Sequence, residues 1–520
     1  MDQKIIENDD DRRAIVIGAG LGGLASAMRL GAKGYAVEVF DRLDQVGGRG
    51  SSITQSGYRF DLGPTIITVP QLFEDLWSTC GFRFEDDVKL ISLDPFYQIR
   101  WPDGSCFTAS ADTDRMIEEV RKLSPADVKG YKRFLKDSEV RYRVGFEDLG
   151  RRPMNSLWEL IKVLPRFAWL RADRSVVDHV SLRVRDPRLQ MALSFHPLFI
   201  GGNPSKVTSM YSLVSYLEKT FGVHYAIGGV QAIADAMKKV ILRQGGQVHL
   251  NTTVDEILVE DDMAVSGIRL DDGRNIRSKV VVSNADAGFT YRNLLRNVPK
   301  KRWSEKKLQS QSWSMGLFVW YFATRQTAEC WKDVGHHTIL NGPRYQGLVD
   351  DIFIRGKLSD DMSLYIHRPS VSDPTVAPHG DDVFYVLSPV PHLGHDKPVN
   401  WVTERERYRQ KVAAQLQTII PGFEENIVES LILDPESFEQ RYLSPLGCGF
   451  SLEPRILQSA WFRPHNISEE CKGLFLTGAG THPGAGVPGV ISSAEVLAQL
   501  VPALPALDGQ PVNIQSWAAE

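Results

Sequence analysis

Cysteine is scarce in this chain of 520 residues. Cys80, Cys106, Cys330, Cys448 and Cys471 are scattered, odd in number and form no C-x-x-C pair. That excludes a disulfide framework and a cysteine metal site, and it fits reduced thiols in a cytoplasm. No metal site is expected. Neither sign of charge is in excess: 60 Lys and Arg stand against 64 Asp and Glu, a formal net charge of -4. A nucleic-acid partner needs a basic footprint, so none is expected. No apolar run reaches the roughly 18 residues that would span a membrane. The opening MDQKIIENDDDRR is polar and acidic, unlike a secretory signal. Internal repeats and low-complexity stretches are lacking too. What remains is a chain long enough for two or three domains around a large core.

What is present begins at Ala14–Lys33, AIVIGAGLGGLASAMRLGAK. Ala14 to Ile17 read as a buried parallel strand. Gly18 to Gly23 give G-x-G-x-x-G, and Leu24, Ala27, Met28 and Leu30 mark one side of a helix. Val37–Phe40 is a second strand and ends in Asp41. Gly18 permits the tight turn, Gly20 lets a pyrophosphate approach the backbone, and Gly23 lets helix and strand pack closely. The helix N-terminus offers free N–H groups to the phosphates. Asp41 follows Gly18 at close to the roughly 20 residues expected for a carboxylate on a ribose hydroxyl. An acid there disfavours a 2′-phosphate, so a site for FAD or NAD is expected, and not one for NADP.

Beyond Asp41 come Gly47-Gly48-Arg49 and then Phe60-Asp61-Leu62-Gly63-Pro64-Thr65. An acid-ended strand followed by G-G-R is similar to the flavoprotein group that includes amine oxidases and carotenoid desaturases. There the turn lies along FAD, with the arginine near its phosphates. Asp61 reads either as a turn cap or as a site residue. Ile91–Thr108 alternates around Asp103-Gly104, a hairpin pattern. From about Ala111 to Leu217 the chain reads as helical, with a helix start at Ser124-Pro125.

Asn155–Arg174, NSLWELIKVLPRFAWLRADR, mixes large apolar residues with Lys162, Arg166, Arg171 and Arg174. It suits a helix lying in a membrane interface and equally one packed on a core. Pro165 should break or kink it. His196 has no partner at a useful spacing and reads as structural. A helix at Val230–Arg243 is followed by a meander, Gln247–Leu250, Val254–Glu260, Val265–Leu270 and Val280–Ser283. Its returning ends, Val254 and Asn284, should touch the dinucleotide. Aromatic runs such as Gly316–Phe322 and Phe384–Leu387 are strands that line a cavity or form plain core.

At the C-terminal end, Leu474–Thr477 is a strand, Gly478–Gly489 a glycine-rich loop and Val490–Leu500 a helix. Its positive end is placed to face a flavin edge that gains negative charge on reduction. His482 is either a ligand-facing side chain or a brace of that loop.

Together, AIVIGAGLGGL, the GGR turn, FDLGPT, SFHPLFIGGNP, FGVHYAIGG, VVSNAD, QSAWFRPHN and LTGAGTHPGAGVPGV resemble the bacterial-type phytoene desaturases of carotenoid synthesis. The likeness runs from Ala14 to about Pro502. It implies an α/β, Rossmann-like FAD-binding fold of the amine-oxidase type, with a mixed-sheet substrate domain and an inserted helical domain that docks on membranes. The expected division is 12–75, 223–300 and 466–505 for FAD, 76–110 and 301–465 for substrate, and 111–222 for the helical insert. Non-covalent FAD is expected on Gly18, Gly20, Gly23, Asp41, Gly48, Arg49, Gly63, Pro64, Thr65, Val254, Asn284, Gly478, Ala479, Gly480, Val487, Gly489 and Val490.

The implied reaction is stepwise desaturation of 15-cis-phytoene through phytofluene and ζ-carotene to all-trans neurosporene or lycopene. A quinone or oxygen is implied as electron acceptor, and a cytoplasmic, peripheral-membrane location. Desaturation of a hydroxy- or methoxy-neurosporene, or flavin-dependent carotenoid isomerisation, are the rival readings. Each step takes a hydride and a proton from neighbouring carbons, so a proton acceptor is needed. Glu159, beside Leu157, Trp158 and Leu160, is the expected acceptor, its pKa raised by desolvation.

Overall fold

In the computed structural model of the chain, residues 12–505 are described. Five parallel strands form a sheet in the order Leu474–Leu476, Val280–Ser283, Arg13–Ile17, Ala36–Phe40, Gln247–His249. Ala14 and Val16 pack into one apolar cluster and Ile15 and Ile17 into another, so both faces of the central strand are covered. This is why its sequence is continuously apolar rather than alternating. Helix Leu21–Ala32 packs against helices Gly229–Arg243 and Val487–Leu500 on the first face.

The stretch read as one meander is divided between two sheets. Gln247–His249 and Val280–Ser283 join the parallel sheet, while Val254–Val259, Val265–Leu270 and Asn275–Arg277 form a separate antiparallel one. Ile257, Val265, Ile268 and Leu270 of the small sheet pack in the cluster that holds Ile15 and Ile17. A continuous meander would have left that back face bare. Val254 therefore opens an antiparallel strand and does not end a parallel one.

The second large sheet is mixed. Its order is Ile427–Leu433, Gly316–Thr324, Asp382–Val390, Leu364–His367, His337–Leu340, Tyr97–Arg100, Cys106–Ala109. All neighbours are antiparallel except His337–Leu340 with Tyr97–Arg100. The last two strands are the hairpin expected around Asp103-Gly104. Strand Gly316–Thr324 is buried throughout. Phe318, Trp320 and Phe322 pack with Trp401, Tyr408 and Val412 of helix Trp401–Leu416. Leu317, Val319 and Tyr321 turn to the other side. The aromatic run thus serves a plain core on one face and the cavity side on the other.

Between strands Cys106–Ala109 and Val223–Ala226 the chain is helical, with main helices Thr113–Leu123, Val128–Tyr142, Leu157–Trp169, Pro187–Ser194 and Leu213–Phe221. Asp112 caps the first, accepting from the Asp114 and Arg115 N–H groups at 2.8 and 3.0 Å. Helix Leu157–Trp169 is continuous through Pro165, against the expected break. Leu160 and Val163 anchor its buried side, whereas Pro165 is exposed. The missing N–H falls on the exposed side, where losing one bond to a carbonyl costs least. Among the described residues no helix is long and apolar enough to cross a membrane, and all five cysteines are free.

Candidate functional site

A cavity of about 1290 Å³ lies between the parallel strand ends and the Leu317/Tyr385 face of the mixed sheet. It exceeds the roughly 300–1,000 Å³ of a pocket for one small ligand. One part is built of backbone and glycine, the other of Leu, Phe and Tyr side chains.

The glycine part starts with Gly18, held at φ +96°. A Cβ on Gly23 would lie 2.0 Å from the Gly18 carbonyl oxygen, so only hydrogen fits where helix meets strand. The Gly47 N–H donates to Ala19 O at 2.8 Å, which lays the G-G-R turn against the first loop. Gly63 in turn sits on that turn; its Cβ would stand 1.8 Å from Arg49 O. Three segments distant in sequence are thus packed backbone to backbone. Asn284 is the strut beneath them. Cβ atoms on Gly20, Gly22 and Gly478 would each fall 2.6 to 2.8 Å from its amide atoms.

Asp41 is buried at the end of its strand. Its Oδ2 accepts from the Ala19 N–H at 2.6 Å and its Oδ1 from Leu43 N–H at 2.8 Å. Burial raises its pKa, and those two bonds oppose the rise. Arg49 donates to Ser444 Oγ, while its Nε is buried without a partner. The Nε orphan, the helix N-terminus at Gly20 and the Asp41 carboxylate have the donors and acceptor that a dinucleotide's phosphates and ribose require. The cradle fits that group.

Gly18, Gly20, Asp41, Gly48, Arg49, Gly63, Pro64, Thr65, Val254 and Asn284 all line the cavity, as do Gly478, Ala479, Gly480, Val487, Gly489 and Val490. Gly23 acts from behind, through packing. Arg463, within QSAWFRPHN but given no role of its own in the sequence, is fully buried beneath the C-terminal loop. It donates to the carbonyls of Ala479, Thr481, Leu452 and Gln458 at 2.7 to 3.1 Å, fixing the loop with a positive charge. Asn466 likewise donates to Leu476 O, His482 O and Ser493 Oγ.

His482 is a brace. Its Nε2–H is shared between Leu149 O and Arg152 O, both at 3.1 Å. Burial lowers its pKa to about 4, and that of buried His179 to about 4. Both fold uncharged. An unfolded imidazole titrates near 6.5, so between pH 6.5 and 4 the unfolded state binds the extra protons. Stability is complete above 6.5 and falls as pH drops, by on the order of 3 kcal/mol per imidazole at the acid end. The thermal midpoint should therefore decline steadily across that window; a flat profile would contradict the buried neutral assignment.

Glu159 is not where the expected acceptor should be. Its Oε1 pairs with Lys162 Nζ at 2.8 Å, its side chain is 41% exposed, and it does not line the cavity. Helical periodicity explains this: Leu160 and Val163 take the buried side, leaving Glu159 on the flank. Glu159→Gln should leave turnover and flavin content within about twofold of wild type, as measured in a liposome assay.

A different carboxylate reaches the apolar part. Glu218, on helix Leu213–Phe221, is buried against the cavity. Its Oε2 accepts from Tyr97 OH at 3.0 Å and lies 3.2 Å from His196 Nε2. Burial, reinforced by Glu218, pushes Tyr97 well above the usual phenol range, so it stays a neutral donor. Ring contacts Tyr97–Phe195, Phe195–Phe199 and Phe199–Tyr365, then the 2.6 Å hydrogen bond between the Tyr365 and Thr65 hydroxyls, link this group to the Gly63–Thr65 turn. His196 opens the short 3-10 helix His196–Ile200 and Glu218 sits on another helix, so no spacing rule joins them.

The family model for flavin containing amine oxidoreductase matches residues 21–502. A neurosporene-forming phytoene desaturase of Cereibacter sphaeroides is 64% identical over 511 residues, 98% of this chain and 98% of that protein. A lycopene-forming phytoene desaturase of a Paracoccus species is 40% identical, over 94% and 97%. Among solved structures, an oxidoreductase from Methanosarcina mazei has TM-score 0.64 at 20% identity, covering 94% of this chain and 100% of that one. A putrescine oxidase variant has TM-score 0.62 at 13% identity, covering 94% and 97%; both likenesses concern the fold. FAD is the cofactor of this chain. The chain belongs to the flavin-containing amine oxidoreductases and, within them, to the bacterial phytoene desaturases.

Proposed function

We propose that this enzyme desaturates phytoene stepwise to all-trans neurosporene or lycopene, drawing substrate directly from a membrane surface. The observation that carries the reading is the rim of the cavity. Leu164, Ile456 and Leu457 line the cavity and are also exposed to solvent, at 49%, 37% and 68%. On the same helix as Leu164, Trp158 and Trp169 are exposed at 62% and 72%. An apolar opening of this kind suits a hydrocarbon that passes from bilayer to protein without meeting water.

The charges around it favour apolar seating over attraction to anionic lipid. Arg151, Arg152, Lys162, Arg166 and Arg171 are each paired with a carboxylate of this chain. Binding to vesicles that carry anionic lipid should therefore change little with salt. It should fall about tenfold or more in Trp158→Ser/Trp169→Ser, since roughly 1.5–3 kcal/mol accompanies burial of each such side chain. Sedimentation with vesicles reads both; salt-sensitive binding, or an unchanged double variant, would remove this face from the docking surface.

When bound, FAD supplies a two-electron acceptor for the hydrogen removed as each double bond forms. Gly18–Gly23, Gly47–Arg49, Gly63–Thr65 and the Gly478–Val490 loop hold it. The apolar walls position the polyene and exclude water. Glu218 takes the proton from the carbon next to the one that gives up hydride. Tyr97 and His196 orient its Oε2 and satisfy it while the cavity is dry. A quinone or oxygen then serves as the terminal acceptor.

The test is anaerobic mixing of FAD-loaded enzyme with phytoene in liposomes, followed by admission of quinone or air. Bleaching of the flavin band with new, longer polyenes is expected. A flavin that stays oxidised in vesicle-bound, folded enzyme would overturn the reading.

A further inference from the structure

Away from the hydrocarbon cavity, His336, His337 and His367 meet at one point inside the mixed sheet. His337 and His367 are register partners on adjacent antiparallel strands, and His336 immediately precedes the first of them. All three are at least nine-tenths buried. Their ring centroids lie 4.6, 4.8 and 5.1 Å apart, and one ligand atom from each falls within 4.8 Å of the others.

The hydrogen bonds around the rings orient them. His337 Nδ1 is 3.2 Å from Phe96 O, an atom that only accepts, so this nitrogen carries the proton and Nε2 is a bare lone pair. His336 Nδ1 is held by Ser372 Oγ at 2.8 Å. The Nε2 atoms of both, both ring nitrogens of His367 and Oδ1 of buried Asp61 have no partner. Asp61 Oδ2 lies 3.6 Å from His367 Nε2. Buried polar atoms are normally satisfied. His337 Nε2, Asp61 Oδ1 and one nitrogen of neutral His367 are lone pairs, more than the two hydrogens of one water can meet, whereas a cation can be met by several. Outer-nitrogen bonds to a carbonyl and a hydroxyl are the usual support of metal-binding histidines.

We infer that His336, His337 and His367 bind a divalent transition-metal ion of the zinc class, with Asp61 as the carboxylate that balances its charge. Three imidazoles supply the ligands, and Asp61, 3.6 Å from His367 Nε2, supplies a buried countercharge, which suits a structural site. Zn–N distances near 2.0–2.1 Å require the rings to draw in by roughly 1 Å. Asp61 ends the strand that leads into the Gly63–Thr65 turn, and Tyr365, two residues before His367, bonds Thr65. The ion would tie the mixed sheet to the flavin cradle. No metal spacing is visible in the sequence because the ligands come from two strands and a third segment.

The test uses FAD-loaded enzyme purified without chelator. Metal content is read by plasma mass spectrometry, then the protein is stripped with a chelator and refilled with Zn²⁺ or Co²⁺. About one ion per chain is expected, with a thermal midpoint that drops on stripping and recovers on refilling. His337→Ala and His367→Ala should lose the ion and the response to Zn²⁺. Wild-type enzyme that retains no ion and shows no midpoint shift with either metal overturns the site, whether or not the variants fold. So does retention of a full equivalent by folded variants, which would place the ion elsewhere.

Discussion

Gly23→Ala should yield a protein without FAD and without activity. The Cβ would stand 2.0 Å from Gly18 O, inside any van der Waals contact, and the obstacle is backbone that cannot rotate away. Relief requires helix Leu21–Ala32 to move off strand Arg13–Ile17. That helix is clamped by two others, so the turn must deform instead, and its N–H groups lose their aim at the phosphates. Gly63→Ala meets Arg49 O at 1.8 Å and should fail in the same way. Gly335→Ala, whose Cβ meets nothing within 4 Å, is the control and should keep its flavin. The ratio of flavin to protein absorbance reads the result, with circular dichroism to establish folding. A Gly23→Ala enzyme with a full flavin complement would show that close packing does not shape the phosphate turn.

That cradle was legible in the sequence because its parts are local. Gly18, Gly20, Gly23 and Asp41 lie on one strand–turn–helix–strand, and the chemistry of each position follows from backbone conformation alone. The parallel strands were legible too, since Ala14–Ile17 and Val280–Val282 read as unbroken apolar runs, as strands covered on both faces do. The strand pairing of 247–283 was not. Alternation marks each strand but is silent on which sheet takes it, and the bare back face of Ile15 and Ile17 decided that. Pro165 does not break its helix because its cost depends on which side of the helix it faces. Glu159 misled because apolar neighbours in sequence are not neighbours on a helix surface. Arg463 was hidden in a loop and shows its role only through the four carbonyls it gathers.

Glu218→Gln should lower turnover by roughly 10²- to 10⁴-fold, the span of a lost general base, while FAD content and folding stay as in wild type. The amide keeps the shape of the carboxylate. It still accepts from Tyr97 OH and from His196 Nε2, the partners now at 3.0 and 3.2 Å. What it cannot do is hold a proton taken from carbon. The rate of flavin bleaching in a single anaerobic turnover isolates this step from reoxidation and product release. Glu218→Ala is the harsher change, because it leaves the His196 and Tyr97 donors buried without their acceptor; it tests packing more than chemistry. A positioning role alone would let Glu218→Gln bleach at close to the wild-type rate, since the hydrogen-bonded geometry survives. That outcome would remove Glu218 from proton transfer and leave the flavin itself to take the proton. The cavity, whose other walls are largely apolar, would then act only by holding the polyene and keeping water out.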